Sequence, residues 1–224
     1  MNDHSASFNT RFAGLTTITG AITMLAGAAT WVTSGTDLDA TLTGGSMSDY
    51  LISANAASAT LHLNITLWTL GAVLMCAGGC QLALMGRARP QPAGLACFAY
   101  AVGAGSAIVF FPLWLGIIKG LAPAHAGGTD LSAVAIALGE AATIADWVDT
   151  VMILAVGSIC VAQAGKESWV PRWLVIWSYV VGVAGLLALI GLFTGDRSTY
   201  AMLIVPVGVG WLIAAGVVAM RQKA

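Results

Sequence analysis

Few residues of this chain could do chemistry within an apolar interior. His62, Asp146 and Asp149 fall inside long apolar stretches, and Glu140 stands just before one. Ionisable groups at such depth are costly, so each marks a functional candidate. Residues three apart on a helix share a face, which pairs Asp146 with Asp149. Glu140, six residues earlier, is turned about 120° away. On the helix of His62, Thr66 shares its face while Asn64 points elsewhere. One imidazole with two or three carboxylates would bind a hard divalent cation, relay protons or recognise a cationic headgroup. The plain alternative is a set of wetted interfacial groups paired with one another.

Other chemistries lack their residues. The chain has no His-x-x-Glu-His or His-Glu-x-x-His string for a zinc protease and no Gly-x-Ser-x-Gly nucleophile elbow. A haem held by two histidines needs two imidazoles within spans, but His4 and His125 lie in a tail and a loop. Lys119, Lys166 and Lys223 all stand at span ends, where none can carry a buried Schiff base. No catalytic residue is assigned, no cofactor is expected, and the metal question stays open. Cys76, Cys80, Cys97 and Cys160 fall in the inner half of the spans, facing a reducing compartment that disfavours disulfides. Cys76 and Cys80 share a helix face, which would permit a soft-metal site with Cys97 or Cys160. Buried small hydrophobes are the simpler account.

The elements that must position these residues follow from composition. Hydrophobic residues make up 58% of the 224 and charged residues 8%, with a mean hydropathy of +0.86. A soluble domain carries about a quarter charged residues, and disorder, collagen, coiled coil and disulfide scaffolds are excluded on the same grounds. A net charge of −1 leaves no basic footprint for nucleic acid. A membrane-crossing helix needs about 20 apolar residues. Six stretches qualify, at about 11–34, 60–85, 92–119, 145–164, 170–194 and 200–220. They are continuous and too long for β-barrel strands. The reading is an all-α polytopic membrane protein, one six-helix bundle domain spanning 1–224.

Positive charge orients it. Arg11, Arg87, Arg89, Lys166, Arg172, Arg221 and Lys223 collect on one side, against Lys119 and Arg197 on the other with Asp37, Asp39, Asp49, Asp130 and Asp196. Both termini are therefore expected in the cytoplasm, and the His/Asp cluster in the outer leaflet. The first span exceeds the apolar core of a signal peptide and follows a polar, not basic, leader, so it is read as retained. Trp31, Trp114 and Trp147 are expected as an outer aromatic belt and Trp169 and Trp173 as an inner one; a ligand-stacking role is the alternative for Trp147. Trp68, Trp177 and Trp211 lie deeper and read as packing residues.

The connection 35–59 contains Ser48-Asp49-Tyr50-Leu51-Ile52, a short interfacial helix opened by a Ser cap. In 120–144, Thr129 or Asp130 should cap a helix that reaches Ala164, about 52 Å if straight. Its first part must then lie on the surface or bend. Glycines within spans, such as Gly20, Gly71, Gly103 and Gly105, suit close helix packing. Pro112 and Pro206 should kink their helices. No internal repeat marks an inverted-repeat transporter.

Arg11-Phe12-Ala13-Gly14-Leu15 heads the first span, and Val170-Pro171-Arg172-Trp173-Leu174 heads the fifth, followed by a Gly-rich run over 182–187. Both strings, with six spans and two long outer connections, resemble a bacterial integral membrane family known as a domain of unknown function, the four-three-eight-six group. The resemblance implies the six-helix fold and a bacterial inner (plasma) membrane. It implies no activity and carries over no catalytic residue; Arg11 and Arg172 are explained as headgroup anchors. With packing residues abundant and reactive groups scarce, the expected function is non-enzymatic: binding a lipid or small amphiphile, or serving as an accessory subunit. Membrane lipids are the expected partners, with a homo-oligomer or larger membrane complex possible. The alternatives are a proton- or cation-coupled transporter, or a metal-dependent enzyme, at the His62, Asp146 and Asp149 cluster.

Overall fold

The computed structural model describes residues 3–86, 88–195 and 197–222, with side chains from 10 onward and excepting 197–202. Arg87, Asp196 and Lys223 of the charge map lie outside the described residues, as do the side chains of His4 and Arg197. The chain is 87% helical, with no strand among the described residues. In order come α1 (Asp3–Ser34), α2 (Leu38–Leu42), α3 (Met47–Ala56) and α4 (Ser58–Leu84). Next is α5 (Pro90–Gly116), which continues through a π-helical segment, Ile117–Leu121, into α6 (Ala122–Ala126). Then α7 (Ser132–Thr150) passes through a second π segment, Val151–Gly157, into α8 (Ser158–Gly165). Finally come α9 (Arg172–Thr194) and α10 (Arg197–Met220).

Six of these runs are long and apolar enough to cross a membrane. Helices are the required solution there, because lipid offers no partner for an open backbone group. The third and fourth runs are longer than hydropathy indicates: Pro90–Ala126, with 37 residues, and Ser132–Gly165, with 34. Apolarity marks only the stretch suited to hydrocarbon, whereas the helix continues as far as good helix formers do. Ala133, Ala135, Ala137 and Ala141 carry the fourth run back to Ser132. Glu140 therefore lies inside α7, not ahead of the span.

Capping differs in detail from the sequence reading. The Ser cap of α3 is Ser46, whose hydroxyl accepts from the Asp49 N–H at 3.2 Å, two residues before Ser48. Asp37 caps the short α2 by accepting from the Ala40 N–H at 3.0 Å. Neither Thr129 nor Asp130 caps α7, whose N-cap is Leu131. Asp130 instead accepts from the Ser132 N–H at 3.1 Å, a local turn that competes with capping. α5 and α10 run on through Pro112 and Pro206.

The most extensive seam joins α1 to α4. A Cβ on Gly20 would lie 2.6 Å from the Met75 amide nitrogen, and one on Gly78 2.6 Å from that of Thr17. Only hydrogen fits at such positions, so the backbones meet directly. Asn64 reinforces the seam by donating its side-chain N–H to the Gly27 carbonyl at 2.8 Å. Gly103 likewise receives Ile153, but Gly105 faces open space and packs nothing.

Burial removes Trp114 and Trp169 from the expected aromatic belts, at 5% and 6% exposed. Trp169 folds onto Gly165, where a Cβ would sit 2.6 Å from its indole nitrogen. Trp173 is exposed and stacks on Trp177 at 6.2 Å; Arg11 and Arg172 are exposed. The four cysteines are free thiols. Among the described residues no three His, Cys, Asp or Glu side chains are placed to hold a metal ion.

A candidate binding cavity at one end of the bundle

α2 and α3 fold over one end of the helices. Gly35, at φ +66°, supplies the left-handed turn that releases the chain from α1, and the Ser34 and Thr36 hydroxyls bond across it at 2.9 Å. α2 then settles on α7, with Leu38 and Leu42 lying over Gly139. α3 packs on α6 and the first π segment.

Beside α2 is a cavity of about 410 Å³. α1 contributes Trp31, α4 contributes Trp68, and α5 contributes Phe110, Phe111 and Trp114. α7 brings Thr143, Asp146, Trp147, Asp149 and Thr150, while Asp37 and Asp39 enter from the α2 turn. Val205 and Pro206 of α10 close the wall. The rings form a tilted stack, with Phe110 4.7 Å from Phe111 and 5.2 Å from Trp114, and Trp114 5.7 Å from Trp68. Such tilted offsets suit ring quadrupoles.

Asp37, Asp39, Asp146 and Asp149 all line this one cavity. Asp149 is 2% exposed, and its Oδ1 has no hydrogen-bond partner among the described residues. The indole nitrogens of Trp68 and Trp147 are buried without partners as well. A buried polar atom left unmatched is expensive. Asp149 lies about 24 Å along the helix from Gly165, near one limit of a 30 Å hydrocarbon layer.

Above the cavity, Trp114 donates its indole N–H to the Tyr50 hydroxyl at 3.0 Å. Burial pushes the Tyr50 phenol up to about 12; Trp114 opposes that shift and the Asp37 charge adds to it.

The residues singled out from the sequence separate here. Asp146 and Asp149 do come together, on one face of α7. His62 does not join them: it is exposed on α4, with its Nε2 3.5 Å from the Lys119 Nζ. The opposite face of α4, carrying Asn64, is the one that α1 covers, so packing turns His62 outward. Glu140 is half-buried elsewhere on α7 and is not among the cavity-lining residues. Trp31, Trp114 and Trp147, expected in a belt, are among the cavity-lining residues. Asp37, Asp39 and Trp68 were missed as site residues. The only sequence signal was two aspartates directly after a span bearing Trp31, and spacing cannot show that α2 folds back.

A second constellation lies in a shallow depression outside the cavity. Ser48 Oγ is 2.9 Å from His125 Nε2, and Asp130 Oδ1 is 3.9 Å from His125 Nδ1. The Leu131 N–H donates to His125 Nδ1 at 3.4 Å. In the neutral ring the proton then sits on Nε2 and points at Ser48, the reverse of what a general base requires. With the carboxylate beyond hydrogen-bond reach, this arrangement is a latch tying α3 to the α6–α7 loop.

Comparison with known proteins finds no matching family model, no matching curated protein and no matching solved structure.

Proposed function

We propose that this multi-pass membrane protein binds a small amphiphilic molecule in the cavity beside α2, without transforming it. The observation that carries the reading is the aromatic- and aspartate-lined cavity of about 410 Å³ at one end of the bundle, within the about 300–1,000 Å³ usual for ligand sites. Four tryptophans and two phenylalanines line this space, and the ring surface that their mutual stacking leaves uncovered is apolar surface for a guest. The excess of Lys and Arg on the opposite side supports a cytoplasmic position for both termini, which sets the cavity toward the outer leaflet. The strings at Arg11 and Val170 support membership of the four-three-eight-six group and, with it, a bacterial inner membrane.

Native mass spectrometry of the full-length protein, extracted with its lipids, tests this reading. Ala28 of α1 also lines the cavity, and a retained molecule that is lost in Ala28→Phe, where a ring fills the space, is the expected outcome. An identical mass profile for both proteins, with no retained molecule, would overturn it.

A transport reading draws on a separate observation. The π segment Val151–Gly157 begins two residues after Asp149, and such wide turns recur where helices flex at functional sites. Pro206 stands in the cavity wall. Flux of the ligand into proteoliposomes that disappears in Asp149→Asn would favour this reading, and binding without flux would exclude it.

A further inference from the structure

We infer that His125 is a proton-operated switch, tying α3 to the backbone at the head of α7 when neutral and to the Asp130 side chain when protonated. It stands outside the cavity and does not rest on the binding reading above. His125 sits in the short α6, and the chain turns back after it at Gly128, whose φ is +100°. The turn is closed by the Gly128 N–H on the His125 carbonyl at 2.9 Å and by the Thr129 N–H on the Ala124 carbonyl at 3.2 Å. It returns two groups to one imidazole nitrogen, Nδ1: the Leu131 N–H donates to it at 3.4 Å, and Asp130 Oδ1 lies 3.9 Å away. Nε2, on the far side of the ring, meets Ser48 Oγ of α3 at 2.9 Å. Nδ1 thus faces partners of opposite character, a hydrogen-bond donor and a carboxylate.

The proton chooses between them. A neutral ring keeps a lone pair on Nδ1 for Leu131 and carries its hydrogen on Nε2, toward Ser48. An imidazolium carries hydrogen on both nitrogens and accepts on neither, so its Nδ1–H meets the Leu131 N–H donor to donor. Leu131 is also the N-cap of α7, and the open N–H groups of a helix start repel added positive charge. Asp130 is then the better partner, because a bond between ionised groups is stronger than a neutral one. Its carboxyl is held below the usual range, first by the Ser132 backbone N–H, and so stays ionised in mild acid. The Asp130 side chain is 85% exposed and free to close the remaining distance, while the ring, 10% exposed, is confined. The other charged groups on the packed elements are Asp49, exposed next to Ser48 on α3, Lys119 on the first π segment, 3.5 Å from His62, and Glu140, more than two turns into α7. Imidazole is the side chain that gains charge in mildly acid water. The Ser48 tie survives in both states, since Nε2–H donates in each. Acid therefore uncouples α3 from the start of α7, the helix that carries Trp147 and Asp149 of the cavity wall.

Nitrogen-15 NMR of the histidine-labelled, full-length protein in nanodiscs tests the switch, with hydrogen exchange at the Leu131 amide as a second measurement. The chain has three histidines, His4, His62 and His125, and His125→Gln assigns the signals of the third. At alkaline pH the neutral ring should carry its hydrogen on Nε2, in wild type and in Ser48→Ala alike, because Leu131 sets the tautomer. In mild acid both nitrogens should carry hydrogen. Protection of the Leu131 amide, corrected for the intrinsic pH dependence of exchange, should then fall by about fivefold, the worth of one ordinary hydrogen bond. Asp130→Asn should keep the alkaline spectrum and lose the downfield Nδ1–H of a carboxylate-bonded imidazolium. Wild-type protein decides the matter even if a variant fails to fold: a neutral ring protonated on Nδ1, or equal Leu131 protection in alkali and acid, would overturn the switch. An Nδ1–H unchanged in Asp130→Asn would overturn it too, by leaving the carboxylate no part in the exchange of partners.

Discussion

The indole N–H of Trp114, in the wall of the cavity, is held by the hydroxyl of Tyr50, in α3, at 3.0 Å. One hydrogen bond thus ties the cavity wall to α3, between residues 64 apart in sequence. Tyr50→Phe should leave a buried donor unmatched and cost about 1–3 kcal/mol, seen as a lower midpoint in thermal unfolding.

The same residue gives a dependence on alkaline pH. The folded phenol is raised from 10.0 to about 12, so its unfolded form loses the proton first. Its contribution is complete below about pH 10 and is lost as pH rises through about 12. Wild-type protein should destabilise across that interval, and Tyr50→Phe should flatten that part of the curve. An unchanged slope would contradict the burial of the phenol.

The α1–α4 seam predicts opposite outcomes for two glycines. Gly20→Val places a branched side chain where even a Cβ lies 2.6 Å from backbone, so a loss of about 1–3 kcal/mol is expected, or failure to fold. Gly105→Ala meets nothing within 4 Å and should be neutral or stabilising by about 0.5–1 kcal/mol, through helix propensity alone. Denaturant titration in mixed micelles separates the two.

The α3 latch predicts a local effect. His125→Ala removes the Ser48 and Leu131 contacts and should cost about 1–2 kcal/mol, with faster hydrogen exchange confined to α3 and the 127–131 loop. Asp130 is fully exposed, and its carboxyl is held below the usual range, first by the Ser132 backbone N–H, then by the Ser132 hydroxyl and the nearby His125. A lowered folded value means its contribution is present above the ordinary carboxylate range and fades as pH falls through the folded value. Asp130→Asn should therefore change exchange in this loop at neutral pH and leave it unchanged in strong acid.

Topology has its own test. Single cysteines placed at Lys166 and at Thr129, in a background lacking the four native thiols, should react with impermeant maleimide only at 129 in intact cells. Labelling at 166 would reverse the orientation.

Much of this protein was legible in its sequence. Apolar length is a local property, so the six spans could be counted directly, and the helical period is local too, so Asp146 and Asp149 could be assigned one face without a fold. Where sequence reasoning stopped short, the deciding quantity was a contact between distant segments. His62 and Asn64 are alike in polarity and two residues apart, and only the approach of α1 through Gly20 and Gly78 decides which is buried. Asp37 and Asp39 read as loop charges until Gly35 turns α2 back over α7. Trp31, Trp114 and Trp147 suit a headgroup interface equally well by type and depth; helix rotation, set by side-chain packing and the Tyr50 hydrogen bond, points them inward. Solvent preference is encoded residue by residue, but facing partners are chosen by the packing of whole helices, which is why the bundle could be read from the chain and its cavity could not.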